Sequence, residues 1–437
     1  MPRATELKPD FSAACGKRLL IALSGGADSV ALAALLAEAR SEYDLTLFAA
    51  HLDHGIRPES ADDAAFCAEL CRKLEIPLTC ARLEIREEAA RLHMGLETLA
   101  RMRRYEFLQA QRQQTGADFI ALAHHMDDQA ETVLMHLGRG AGPGGVCGMR
   151  ELSGDLYRPL LGFRKAELQA YVKSRGLSWR EDATNAVADT PRNALRLHAL
   201  PALEQCYPRF VPALTRYARA AQIENDYLDE LTREFLEIRG GGNPFCRWID
   251  LDPPPERALL RRALMKACPV SLDFETVNAL EALCGQLRGK LDLGKTHLAE
   301  RCGIRLYFVP KRLPAIPEVA LKLDGATRFE PLCRIEAAPC DPVPIRDDPT
   351  TQALNAKPLR GAVIRLRRPG DRIRPLGGGD KLLSDYFTDK KLDRPLRDAV
   401  PLIARENRVL WACGVGISQE AALIPGCRAV KLKCIIL

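Results

Sequence analysis

Three polar clusters in the first third of the chain have residue types suited to chemistry on phosphate. The first is Ser24-Gly25-Gly26-Ala27-Asp28-Ser29, between the apolar run LLIAL and an alanine- and leucine-rich stretch. A strand, a glycine turn and a helix start in that order aim first-turn amides at an anion, and the two glycines let backbone approach it closely. A plain strand-to-helix turn capped by Ser24 would carry the same letters, so the motif alone does not decide. The second cluster, HLDHGIRPES (51–60), places His51, Asp53 and His54 at the end of a strand-like run. Side chains splay to different sides of an extended chain, which favours a polar rim of a nucleotide pocket, with His51 and Asp53, over a zinc site. The third, HHMDDQAET (124–132), spaces His124, Asp128 and Glu131 at i, i+4 and i+7, one face of a helix. Carboxylates beside a polyphosphate suit Mg²⁺, with Asp128 the candidate in this cluster, whereas Asp127 suits capping or a solvated helix charge.

A competing phosphate loop lies downstream. Gly289-KLDLGKT-Thr296 fits GxxxxGK[ST] in every letter. A working loop of that kind needs a buried strand before it and a helix after the lysine. Here a helical pattern, FETVNALEALCGQLRG, precedes it and a strand-like pattern, HLAERCGIRLYFV, follows. The order is reversed, so a turn at a helix-to-strand junction is expected and Lys295 is assigned no nucleotide.

The elements that must position these clusters alternate. Strand patterns at 18–23, 45–53, 78–85 and 118–125 alternate with helical periodicity at 28–40, 59–75, 96–114 and 127–138. This implies an α/β, doubly wound parallel sheet, whose ligands bind beyond the carboxyl ends of the strands. A long helix is expected over about 208–238, broken by GGGNP, with two more helices in 255–288. The proline-rich 311–357 reads as short strands and linker, and short strands surround a basic helix from about 358 to the end. No internal repeat occurs.

With 437 residues, two or three domains are expected, and 47% apolar residues can fill their cores. No run is apolar enough for a membrane span, and the first twenty residues lack a signal core, so no membrane partner and a cytoplasmic location are expected. The fifteen cysteines form no CxxC pair. The net charge of +6 is uneven: Lys357 to Arg397 holds twelve Lys/Arg against five Asp. A basic run such as IRLRRPGDRIRPL fits a solvated face or a phosphate-backbone contact about equally well.

SGGxDS after a first strand resembles the PP-loop ATP pyrophosphatase superfamily, which cleaves ATP between its α- and β-phosphates and adenylates a second substrate. The missing lysine then fits a loop that holds departing pyrophosphate. The series SGGADS, HLDHGIRPES, LETLARMRRYEFL, ALAHHMDDQAETVLMHLGRGAGPGGVCGM, YRPLL, EDATN and RNALRLHALPAL stands in the order of the tRNA(Ile)-lysidine synthetase family. The resemblance is dense over about 18–205 and resumes more weakly at IRLRRPGDRIRPLGG and LSDYFTDKKLDRPLRDAVPLI.

The resemblance implies a catalytic domain at 1–210, a mainly helical middle tRNA-binding domain at 211–320, an irregular linker at 321–357 and a small basic α+β tRNA-binding domain at 358–437. It implies ATP and Mg²⁺ as cofactors, and free L-lysine and the CAU-anticodon tRNA(Ile) as partners. Cytosine O2 of nucleotide 34 would attack the α-phosphorus, and the lysine amine would then displace AMP from C2. Ser24, Gly25, Gly26, Asp28 and Ser29 would hold ATP phosphates, with Asp28 acting through Mg²⁺, for which Asp128 is the other ligand candidate. Asp128 would stand nearest the reaction with His124 and Glu131 beside it, and Arg104 and Arg196 would steady the phosphate or leaving AMP. Either Asp128 or Glu131 could serve as base for the amine. Arg139 and the glycine-rich loop after it would close over the base, and Arg365, Arg367, Arg368, Arg372 and Arg374 would bind tRNA. A PP-loop tRNA cytidine thiolase is the runner-up, disfavoured by the lack of CxxC pairs; a non-catalytic RNA-binding relative is the other alternative. Oligomeric state, a homodimer included, stays open.

Overall fold

The computed structural model describes residues 7–53, 60–83, 85–180, 190–345 and 348–437. His54, and the EDATN segment of the sequence pattern, lie outside the described residues. The chain divides into two compact units, Met1–Asp226 and Tyr227–Leu437.

The first unit opens with β1 (Arg18–Ala22), α1 (Ala27–Ala39), β2 (Thr46–Asp53), α2 (Ser60–Lys73) and β3 (Leu78–Arg82). Next come α3 (Ile85–Leu92), α4 (Leu96–Thr115), β4 (Phe119–Ala121), α5 (Met126–Gly138), β5 (Leu152–Ser153), β6 (Leu156–Tyr157) and α6 (Lys165–Ser174). The sheet order is β3-β2-β1-β4-β6-β5, parallel except for the β5–β6 hairpin. Ile21 of central β1 pairs with Ala49 on one side and Ala121 on the other.

Alternation along β1 sends Leu19 and Ile21 into a core shared with α1 and α6, through Leu32, Leu36, Leu168 and Val172. Leu20 faces the opposite core, with Leu108 of α4, Ala50 and Ile120. Both faces are therefore covered by helices, as the run of apolar residues in β1 requires. The strand order reverses at the β1–β4 seam. In such a sheet, a crevice opens beyond the carboxyl ends of those two strands. The turns leaving β1 and β4 carry SGGADS and HHMDDQAET. The chain continues through α7 (Pro191–Ala194), a π-helical turn at Leu195–Ala199, α8 (Leu200–Cys206) and the thirty-residue α9 (Phe210–Arg239), inside which the division between the units falls.

In the second unit the expected helices are present as α10 (Arg257–Ala267) and α11 (Phe274–Cys284). They pack Leu260, Leu264, Leu280 and Leu283 on Ile249, Leu306 and Phe308 of a five-stranded sheet, most of whose strands carried no sharp sequence signal. Gly289-KLDLGKT-Thr296 lies in that sheet: Arg288–Asp292 and His297–Cys302 are antiparallel strands, and the turn between them holds Gly294 at φ +86° and an exposed Lys295. No helix follows the lysine. The motif is a hairpin rather than the expected helix-to-strand turn, and its rejection as a phosphate loop stands.

The expected linker at 321–357 requires correction. Strands Gly325–Phe329, Cys333–Cys340 and Thr351–Asn355 form a four-stranded sheet with the C-terminal strand Ala429–Ile436. Phe329, Ile335 and Leu432 of this sheet share a core with Ile364, Ile403 and Trp411 of a neighbouring seven-stranded sheet. The pairing joins segments about a hundred residues apart, which local pattern cannot reveal.

Candidate functional site at the carboxyl ends of β1 and β4

The turn after β1 is built around one glycine conformation. Gly25 has φ +83°, open to glycine but strained for other residues. Ser29 Oγ donates to the Gly26 carbonyl at 3.0 Å and accepts from the Ser24 amide at 3.2 Å, while the two serine hydroxyls lie 3.1 Å apart. These bonds hold the turn closed on itself at the start of α1, where helix geometry leaves first-turn amides pointing outward. His51 anchors the neighbouring strand end: its Nδ1 lies 2.9 Å from the Leu23 carbonyl, and its buried Nε2 has no partner. Asp53, by contrast, is paired with Arg82 at 3.7 Å.

Beyond β4, His125 caps α5, and its Nδ1 accepts the Asp128 amide at 3.4 Å. That contact puts the ring proton on Nε2, which faces Asp128 Oδ2 at 3.4 Å and Asp28 Oδ2 at 3.6 Å. One imidazole thus ties the β1 turn to the β4 turn. The expectation that His124 shares a helical face with Asp128 and Glu131 is corrected, because α5 begins only at Met126. His124 precedes the cap, and its buried Nδ1 has no partner.

Asp128 and Glu131 do share a face, and both are buried. Two arginines, one helical turn apart, meet them. Arg192 Nε donates to Glu131 Oε2 at 2.6 Å and its Nη2 to Asp128 Oδ1 at 2.8 Å. Arg196 Nε donates to Glu131 Oε1 at 2.6 Å and its Nη2 to Asp128 Oδ1 at 3.3 Å. Thr190 caps the short helix carrying Arg192, accepting the Asn193 amide at 3.2 Å. Arg196 was expected here; Arg192 and His125 were not. Arg192 stands four residues before Arg196 in RNALRLHALPAL, and that i, i+4 spacing was the available signal.

Burial would raise the Asp128 pKa, but His125, Arg192 and His124 overcome it and hold the group below its ordinary value. Burial pushes His124 down to about 4, so that ring is neutral. Burial also opposes the charge on His125, yet Asp28, Asp128 and Asp127 together raise its pKa. Arg104 is accessible to solvent while the surrounding protein, Arg101 and Arg192 lower its pKa.

Asp127 does not cap α5, where His125 and Asp128 form the cap; it accepts Arg164 Nε at 2.9 Å and the Lys165 amide at 2.8 Å. The glycine-rich loop after exposed Arg139 is pinned over its second half. Gln129 bonds both the amide and the carbonyl of Met149, and Gln222 donates to the Cys147 carbonyl at 2.6 Å. A Cβ on Gly148 would come within 2.7 Å of Gln129 Oε1, so the contact depends on glycine.

Among the described residues no group of three or more His, Cys, Asp or Glu side chains could hold a metal. Asp28 Oδ1 is buried without a partner, as a carboxylate oxygen kept for a cation would be. Asp128 has both oxygens engaged by Arg192, Arg196 and His125. Of the two expected ligands, only Asp28 therefore keeps a carboxylate oxygen open to a cation.

Of the C-terminal arginines, Arg365 must be withdrawn from the expected tRNA contacts. It is 2% exposed and forks onto Asp371 at 2.7 and 2.8 Å, with a further bond to the Glu406 carbonyl. Arg367 pairs with Asp398, Arg368 with Glu318 at 2.7 Å and Arg372 with Asp380 at 2.6 Å. Arg374 is exposed. Among the described residues no helix is long and apolar enough to cross a membrane.

Comparison with known proteins agrees with this layout. Residues 3–203 match the PP-loop domain family, and residues 362–434 match the TilS substrate C-terminal domain. The chain is 33% identical to the tRNA(Ile)-lysidine synthase of Geobacter sulfurreducens, spanning 95% of this chain and 93% of that protein. It is 35% identical to the protein of the same name from Symbiobacterium thermophilum, over 92% and 90% of the two chains. Both matches run over nearly the whole of this chain: the chain belongs to the tRNA(Ile)-lysidine synthase family, PP-loop ATP-dependent ligases.

Proposed function

We propose that the protein joins free L-lysine to C2 of cytidine 34 in the CAU anticodon of tRNA(Ile), in two steps at the β1–β4 crevice. ATP adenylates cytosine O2 with loss of pyrophosphate; the lysine ε-amine then attacks C2 and AMP leaves. The product is lysidine, which changes codon reading from AUG to AUA. The observation that carries this reading is the meeting of an SGGADS turn with a buried Asp128–Glu131 pair, joined through His125.

Each part has a chemical reason. Ser24, Gly25, Gly26 and Ser29 cradle the β- and γ-phosphates with backbone and hydroxyl donors. Asp28 would hold Mg²⁺, which neutralises charge on the phosphates. Arg104, Arg192 and Arg196 line the side on which negative charge grows at the α-phosphorus and on departing AMP. His51, with its unpartnered Nε2, is a donor or acceptor for the nucleotide. Asp128 or Glu131 receives the lysine ammonium and takes a proton from it, since only the neutral amine attacks. Neutral His124 lies beside them and can hydrogen-bond without adding charge. Arg139 and the glycine-rich loop border the entry for the anticodon base, and exposed Arg374 leads the basic C-terminal contacts to tRNA phosphate.

The test incubates purified protein with ATP, L-lysine and a CAU-anticodon tRNA(Ile) transcript, then weighs the nucleosides. Lysidine mass appearing only with all three supports the reading. Pyrophosphate release with a modified cytidine that forms without lysine would shift it to another cytidine chemistry, and no release at all would overturn it.

A further inference from the structure

The two carboxylates assigned to the amine are both engaged by arginine. Glu131 is 1% exposed, with Arg192 Nε on one oxygen and Arg196 Nε on the other, each at 2.6 Å. Asp128 Oδ1 accepts from both guanidinia. Two negative and two positive charges close the cluster, and an ammonium cannot enter it without displacing a cation. The carboxylates cannot stand alone either, because an unpaired buried charge is strongly destabilising. The arginines have a freer choice, since their side chains are about a third and a quarter exposed, at 33% and 26%. A guanidinium binds phosphate through the same fork that it offers a carboxylate. Arg192 is also close enough to Arg104 for their charges to oppose each other. Arg192 rides on the short helix α7, and Arg196 lies within the π-helical turn Leu195–Ala199 into which that helix runs. Such a widened turn often marks functional backbone.

We infer that Arg192 and Arg196 are a shuttle that orders the substrates. They hold Asp128 and Glu131 closed until a polyphosphate draws the guanidinia off, and the vacated carboxylates then accept the lysine ammonium. This rests on the reading above, in which those carboxylates receive lysine. ATP and lysine would therefore bind with positive coupling, although their charged groups need not touch. By linkage the coupling is reciprocal.

The experiment titrates L-lysine into the full-length protein by calorimetry, with and without saturating α,β-methylene-ATP. The expected result is lysine binding at least about tenfold tighter with the analogue, a typical allosteric coupling. Arg192→Gln should bind lysine more tightly than the parent without the analogue and lose most of the enhancement; Arg192→Lys should restore part of it. A merely structural role for Arg192 would weaken lysine binding in both conditions and leave the ratio unchanged. Equal lysine affinity in the parent with and without the analogue overturns the shuttle, and this arm needs no variant to fold. If the parent still makes lysidine, only the shuttle has failed; if it makes none, the functional reading has failed too.

Discussion

Arg196 Nε stands 2.6 Å from Glu131 Oε1, deep enough that the carboxylate is almost sealed from water while the guanidinium is not. The asymmetry predicts what Glu131→Gln does. The amide keeps the shape but removes a charge that two guanidinia share, so stability falls by about 1–3 kcal/mol. This lies below the usual cost of breaking a buried pair because both arginines can turn to solvent. Urea unfolding of the variant against the parent checks the value.

Asp128 is the carboxylate that the His125 ring links to the phosphate turn, at 3.4 Å. Asp128→Asn should lower kcat/KM for lysidine by about 10²- to 10⁴-fold, the usual range for losing an acid–base group. Stability should fall by about as much as for Glu131→Gln, because the amide still accepts the His125 backbone N–H but gives up a buried charge shared by Arg192, Arg196 and His125. Loss of both activity and folding would assign Asp128 to structure instead.

The two glycine-containing loops make opposite predictions. Gly25 sits at φ +83°, and a Cβ there would find ordinary clearance, 3.4 Å from Cys67 Sγ. Gly25→Ala is therefore opposed by backbone strain of about 1–2 kcal/mol rather than by a clash. If the turn relaxes out of shape, KM for ATP should rise roughly tenfold, the equivalent of about 1.4 kcal/mol. Lys295→Ala, in the exposed hairpin, should leave that KM unchanged; a rise there would reopen the second loop as a nucleotide site.

His124 and His125 are neighbours shifted in opposite directions, and together they shape stability against pH. The unfolded value for both is 6.5, and burial takes folded His124 to about 4. Between those values the unfolded chain binds the extra proton, so stability falls as pH drops through the window. For His125, burial is outweighed by Asp28, Asp128 and Asp127 and its pKa is raised. Its contribution is full below 6.5 and is lost as pH rises through the folded value. Unfolding midpoints measured from about pH 5 to about pH 8 should peak near the middle. His124→Asn should flatten the acid side and His125→Asn the alkaline side.

Much of the first unit was legible because its signals are local. The apolar run of β1, the SGGADS turn and the alternation of strand and helix each lie within twenty residues. The carboxylate pair was legible from helical spacing, but its partners were not. Whether His124 or His125 faced Asp128 depended on where α5 begins, a one-residue matter that rotates the ring from one environment to another. The four-stranded sheet escaped notice because it is closed by the chain's last strand. The burial of Arg365 escaped for a related reason: in IRLRRPGDR every arginine looks alike until Asp371 folds back onto one of them.

That selection among arginines yields the last prediction. Arg365 and Asp371 are each 2–3% exposed, so Arg365→Ala leaves a buried carboxylate unpaired and should cost about 3–5 kcal/mol. Arg365 cannot reach a phosphate without leaving Asp371, so its loss should not alter how tRNA binding responds to salt in protein that remains folded. Arg374 is exposed, and Arg374→Ala should leave stability nearly untouched. If it contacts tRNA, the slope of log affinity against log salt should fall by about 1, the signature of one lost phosphate contact. Filter binding of the tRNA at several salt concentrations, beside thermal melts of both variants, separates the two roles. A salt slope that Arg365→Ala changes and Arg374→Ala does not would return the buried arginine to the tRNA surface.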